Sequence, residues 1–270
     1  MKKILTLAAI SMLLLASCQK KESEMTAPIP PSAESLAIDL DLFRTDETKS
    51  LGGAADSFEY VSVKIVANWL NIFDNIINVP VEAYKQLIVS AVPVQNGKGW
   101  TWTIDYKDVF NQHYTVTLYG EEIEDKVNWE LRVSRNDGAE HYENFTWLTG
   151  WSSKDGKSGQ WQILVGPNDA EVLVTADWAV NGKRDSTVKL TYHLDHQIWG
   201  IPRLFNESYI IYSTTTSDAT YDTSIESYYN HEGLGFWKVN VEWNSVTGAG
   251  RVMSSSYFGD THWHCWDQTD

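Results

Sequence analysis

With 270 residues, a formal charge of −15 and only two cysteines, the chain is long enough to bury a large core, too acidic to favour phosphate backbones, and too poor in thiols for a disulfide framework. Nucleic acid is therefore disfavoured as a partner, and a basic patch is not available to hold the protein on anionic headgroups. Thirteen tryptophans are the compositional oddity, and they carry most of the functional question.

The chain opens with Met1-Lys2-Lys3 and an apolar run from Ile4 to Ala16, too short to cross a bilayer as a permanent helix. It ends in Leu15-Ala16-Ser17-Cys18, which resembles the lipobox of bacterial lipoprotein signal peptides. That resemblance implies removal of residues 1–17, attachment of lipid to Cys18 and residence at the outer membrane, facing the periplasm or the cell surface. Loss of Lys2 and Lys3 takes the formal charge from −15 to −17. Acylation of Cys18 leaves Cys265 as a single thiol.

Gln19-Lys20-Lys21-Glu22-Ser23-Glu24 resembles the export signals that send lipoproteins to the surface in Bacteroidota-type bacteria, and reads equally as a solvated tether. Pro28, Pro30 and Pro31 predict an extended, disordered spacer over residues 19–35. Leu36, Ile38, Leu40 and Leu42 alternate with Ala37, Asp39 and Asp41, the period of a short edge strand within an anchor and tether region of residues 18–56. Asp56 and Glu59 form a capping-box-like start, and Phe58, Val61, Ile65, Trp69 and Ile76 follow at helical spacing. Pro80 suits the first turn of a second helix that Pro93 stops, so residues 57–93 are expected to form a helical hairpin.

From Trp100 the apolar period becomes two. Tyr114, Val116 and Leu118 share one face, as do Trp129, Leu131 and Val133, then Val172, Val174, Ala176 and Trp178, and finally Trp237, Val239, Val241 and Trp243. Asn96-Gly97, Asp155-Gly156, Asn181-Gly182 and Gly248-Ala249-Gly250 supply hairpin turns between them. Residues 94–270 are thus expected to form a mainly β domain, an up-and-down antiparallel meander of about eleven or twelve strands, curled into a sheet or half-open barrel because so many strands twist. With the N-terminal helices packed on it, this resembles the architecture of lipoprotein carriers and other periplasmic binding sheets.

His262 and His264 are the sharpest polar pair. On one strand they would project to the same face roughly 7 Å apart, a spacing at which two imidazoles bind a metal if a further ligand is supplied. The other reading is a buried free thiol at Cys265 beside two surface histidines. His193 and His196 flank Asp195 without a nucleophile motif, so catalytic residues are not assigned and no cofactor is expected.

Trp129, Trp161, Trp178, Trp237 and Trp243, in register with aliphatic neighbours, are expected in the core. Trp100, Trp102, Trp147, Trp151 and Trp199 sit near turns or among polar residues and are the candidates for ligand contact, with Trp147 and Trp151 expected on one strand face beside Trp100 or Trp102. Three functions remain open. A non-enzymatic surface module that binds a glycan or other extracellular ligand on exposed aromatics comes first, then a carrier or scaffold holding a lipid, apolar ligand or partner protein in the concave face, and then an enzyme.

Overall fold

The change of period near Trp100 is realised as a single antiparallel ladder. The computed structural model describes residues 26–36, 38, 77, 80–108, 111–135, 141–167, 169–182, 185–193, 207–215, 220–231 and 235–266. The strands are β1 (Val94–Asn96), β2 (Gly99–Lys107), β3 (His113–Ile123), β4 (Lys126–Arg135), β5 (Tyr142–Ser153), β6 (Ser158–Gly166) and β7 (Asp169–Gly182). They continue as β8 (Asp185–Tyr192), β9 (Tyr209–Thr214), β10 (Thr223–His231), β11 (Gly235–Trp243), β12 (Gly250–Met253) and β13 (His264–Trp266). Order in the sheet follows order in the chain across all 13 strands. The count exceeds the expected eleven or twelve because β1 and β13 have three residues each, too few to display an alternation.

The expected curl into a half-open barrel does not occur. The ladder is linear and uncurled, with β1 and β13 as separate edges. A membrane-spanning barrel needs its first and last strands paired, so this open ladder does not have that form. Among the described residues no helix is long and apolar enough to cross a membrane.

One face of the sheet is apolar, and around β6 and β7 the chain's N-terminal part packs on it. Leu36, Ile77, Val81, Ala83, Tyr84 and Leu87 join the strand residues in one core. Helix α1 is described over residues 80–90, with Pro80, whose missing N–H costs nothing in a first turn, as its first described residue. It turns Val81, Tyr84 and Leu87 inward, leaves Val89 and Ser90 outside, and closes with Ala91 N–H donating to the Leu87 carbonyl. Ile77 is helical and buried, while the rest of the expected first helix of the hairpin lies outside the described residues.

Residues 26–35, expected within a disordered spacer, lie partly in this core. Pro28 and Pro31 are buried, Ala33–Ser35 makes a 3-10 turn, and Leu36 caps that turn instead of starting the expected edge strand. The segment is pinned by two hydrogen bonds: Tyr84 Oη donates to the Pro31 carbonyl at 2.5 Å, and Trp161 Nε1 donates to Ser35 Oγ at 3.0 Å. Tyr84 also meets Trp161 edge-on, with ring centroids 5.6 Å apart. Leu40 and Leu42 of the expected strand lie outside the described residues.

On the buried face four of the indoles are accommodated by a glycine on the next strand. Gly120 stands opposite Trp129, Gly150 opposite Trp161, Gly159 opposite Trp178 and Gly250 opposite Trp266. A Cβ on Gly120 would lie 2.4 Å from the Trp129 ring and one on Gly250 2.2 Å from the Trp266 ring, so the indole occupies the space a side chain would need. Burying rings of this size contributes about 1.5–3 kcal/mol each by area, and the glycine lets the ring lie flat on its neighbour.

Candidate functional site

Strand parity decides which tryptophans see water, and a bulge changes that parity in the middle of β5. The β4–β5 ladder pairs Leu131 with Leu148 and then Arg132 with Thr146, passing over Trp147. The extra residue re-aims the strand, as bulges do. Phe145 and Trp147 therefore lie on the buried side, with their rings 6.3 Å apart and Trp147 6.5 Å from Tyr114, while Thr149 and Trp151 keep to the wet side. The expectation that Trp147 and Trp151 share a face is overturned, because an even spacing keeps a side chain on one face only while the ladder is regular.

The other candidates fall on the core side as well. Trp102 is 4% exposed and tilts against Trp129 at 5.7 Å, and Trp100, on the same face of β2, is half-buried against the core. Trp199 lies outside the described residues, as does Cys18. Trp129, Trp161, Trp178 and Trp243 are buried as expected, while Trp237 is half-buried. Of the candidate tryptophans among the described residues, Trp151 is the one placed on the open face.

Around Trp151 the open face is built of amides, hydroxyls and paired charges. Trp151 sits between Asn128 on β4 and Gln160 on β6. Lys126 Nζ lies 3.8 Å from its ring centroid. A hollow of about 460 Å³ is lined here by Trp151, Asn128, Thr149, Gln160, Gln162 and Tyr119, among others. A second, of about 290 Å³, continues toward β1 and shares Tyr119 and Glu130 with the first.

The charges at this junction are already engaged. Arg132 donates to Glu130 at 2.7 Å, and Thr146 Oγ1 donates to the other oxygen of the same carboxylate at 2.7 Å. The Arg132 hydrogen bond holds Glu130 below the usual carboxylate range against the opposing effect of burial. Tyr119 Oη donates to Glu121 at 3.1 Å; burial, then that bond and the carboxylate's charge, push the phenol up. Such groups present hydrogen-bonding surfaces.

Two further clusters lie on the same face toward the C-terminal strands. Tyr209 and Tyr228 stack at 5.3 Å, and Tyr209 donates to Glu226, which also pairs with Lys238 at 3.0 Å. Burial and the Glu226 bond push the Tyr209 phenol up to about 12. Arg251 donates through Nε to Glu242 at 2.7 Å and lies over the rings of Tyr221 and Trp263 at 4.9 and 4.3 Å, beside a hollow of about 420 Å³ rich in threonine and serine.

The histidine pair does not form the expected strand face. His262 precedes β13 and is exposed, so only His264 belongs to the strand, where its ring stacks on Phe258 of the short helix α2 (Ser255–Phe258) at 4.0 Å. Asp260 accepts from the His262 amide at 3.0 Å and lies 3.1 Å from His264 Nε2. Among the described residues no group of three or more His, Cys, Asp or Glu side chains is placed to hold a metal ion. Cys265, read as a buried thiol, is free and exposed, since it alternates with buried Trp266 on β13.

Tyr119, Asn128, Gln160 and Gln162 were not singled out from sequence. Each lies at a wet position of a strand, and their signal was present as the polar half of the alternation that identified the core. No family model, no curated protein and no solved structure matches the chain.

Proposed function

We propose that the protein is a lipid-anchored outer-membrane or surface module that binds a glycan on the open face of its sheet, with Trp151 as the stacking ring. One observation carries this reading: Trp151 stands on the water-facing side among Asn128, Gln160 and Gln162, an indole ringed by side chains that both donate and accept. A pyranose presents an apolar C–H face and an equatorial rim of hydroxyls, which matches an aromatic plane bordered by amides. The alternative, a ligand carried in the concave face, is less well supported because the apolar side is packed by Leu36, Tyr84, Leu87 and the tryptophans.

The anchor belongs to the same reading. Thr26 is eight residues from Cys18, a reach of at most roughly 28 Å, and the chain then docks through Pro28 and Pro31, so a lipid on Cys18 would hold the sheet close to its membrane. Fractionation of cells carrying Cys18→Ala should move the protein out of the processed membrane pool, and undiminished retention there would end the lipoprotein reading. For the site, wild type and Trp151→Ala are compared on a glycan array with thermal unfolding followed in parallel. The expected outcome is binding reduced roughly tenfold with the melting transition retained, since one ring of this size contributes about 1.5–3 kcal/mol by area. An array on which the wild type binds nothing would remove the glycan reading.

A further inference from the structure

We infer that the two adjoining hollows of the open face work as one trough for an extended, uncharged polysaccharide lying across the strands. This rests on the proposed glycan site at Trp151 and adds its direction, length and ligand class. The hollows adjoin at the cross-strand pair of Tyr119 and Glu130, which lines both. One reaches Asn96 on β1 and the other Gln162 on β6. Neighbouring strands are about 4.8 Å apart, so a path from β1 to β6 is on the order of 24 Å, longer than one sugar ring can occupy.

Direction follows from the pleat. A chain running across the strands meets one outward side chain per strand, and here these are Thr101, Thr117 or Tyr119, Asn128 or Glu130, Trp151 and Gln160 in order. Each presents a donor, an acceptor or a ring at about the strand spacing, which suits a polymer of repeating hydroxylated rings.

Lack of charge in the ligand follows from the pairing of the trough's own charges. Arg132 is committed to Glu130, Glu121 accepts from Tyr119, and Lys126 lies against the Trp151 ring without lining either hollow. A uronate or sulfate would have to break the Glu130–Arg132 pair and approach a chain of formal charge −15. A polycation would have to draw Glu130 away from Arg132 and Thr146.

The test is affinity electrophoresis of the purified chain through gels containing xylan, mixed-linkage β-glucan or mannan as neutral probes, polygalacturonate as the acidic one and chitosan as the cationic one. It is followed by titration with an oligosaccharide series cut from whichever polymer retards it. Retardation by a neutral polymer, affinity that rises roughly tenfold or more from disaccharide to hexasaccharide, and a comparable loss in both Trp151→Ala and Tyr119→Ala would support the trough. Because Tyr119 packs over Gly99, Thr117→Val and Gln162→Ala serve as gentler variants at the two ends, each expected to shorten the length dependence with the melting transition unchanged. Length-independent binding that only Trp151→Ala abolishes would overturn the trough and leave the single stacking site standing. Preference for polygalacturonate or chitosan would overturn the ligand class, and retardation by none of the five would remove the parent reading with it.

Discussion

The two faces of this sheet use the same residue for opposite ends. On the apolar face Trp129, Trp161, Trp178 and Trp266 are almost fully buried, and each lies across a glycine of the adjacent strand. On the open face Trp151 has Asn128 and Gln160 as cross-strand neighbours and a lysine over its ring. Trp147 and Trp151 belong to one strand and are four residues apart, yet the bulge at Trp147 sends them to different faces. Composition therefore says little about a tryptophan's role here. The ladder around it decides whether its ring holds the core together or meets what lies outside.

That contrast sets the largest expected effect. Trp161→Ala removes a ring that is fully buried, meets Tyr84 and holds Ser35, so it should lower stability by about 3–5 kcal/mol as large-to-small core substitutions do. Trp151→Ala, on the wet side, should cost less than about 1 kcal/mol, with the loss confined to ligand binding. Denaturant unfolding of the two variants side by side checks this, and equal losses would mean that the faces are not energetically distinct.

A smaller effect belongs to the open face and to pH. Glu130 is held below the usual carboxylate range first by Arg132. At Glu226 burial opposes ionisation but hydrogen bonds from Lys238 and Tyr209 prevail, so its folded value is also depressed. Both carboxylates are partly solvated, which screens the contribution. A depressed folded pKa gives stability that is present above the unfolded value and is lost as pH falls through the folded one. Stability should thus fall on acidification below the ordinary glutamate value of 4.5, and a Glu130→Gln, Glu226→Gln double variant should show a shallower fall. An unchanged acid limb in that variant would show that these pairs do not contribute.

Much of the ladder was legible because a wet sheet writes its pattern plainly. Val127, Trp129, Leu131 and Val133 alternate with polar partners for ten residues, and Asn96-Gly97 and Asp155-Gly156 mark hairpin turns whose glycines adopt positive φ. What was hidden is what does not follow a period of two. The bulges at Trp147 and Leu173 each place two consecutive apolar residues toward the core, which no alternation can announce. Strands of three residues, such as His264–Trp266, carry too little pattern, so Cys265 was read as buried and His262 was placed on a strand that it precedes. Curling was expected from strand number alone. The sheet is nevertheless uncurled, and Leu36, Tyr84 and Leu87 from the N-terminal part join its core.

The finest distinction lies within the buried face, between indoles alike in burial but not in hydrogen bonding. Trp129 Nε1 donates to Ser152 Oγ at 2.9 Å, Trp161 to Ser35 at 3.0 Å and Trp266 to the Gly248 carbonyl at 2.8 Å. Trp178 Nε1 is buried and has no acceptor among the described residues. A satisfied buried N–H contributes about 1 kcal/mol net, and an unsatisfied one costs about 1–3 kcal/mol in lost hydration. Replacement by phenylalanine removes the N–H together with part of the ring, so the volume loss is common to all positions and the hydrogen-bond term differs in sign. Trp161→Phe loses a bond and leaves Ser35, itself fully buried, with one fewer partner, although its hydroxyl still donates to the Ser32 carbonyl at 2.7 Å. Trp178→Phe removes an orphan. The first should therefore be less stable than the second by about 1–2 kcal/mol in matched denaturant curves. Equal losses would indicate that an acceptor reaches Trp178 in solution, and the buried face would then be as fully hydrogen-bonded there as it is at Trp129, Trp161 and Trp266.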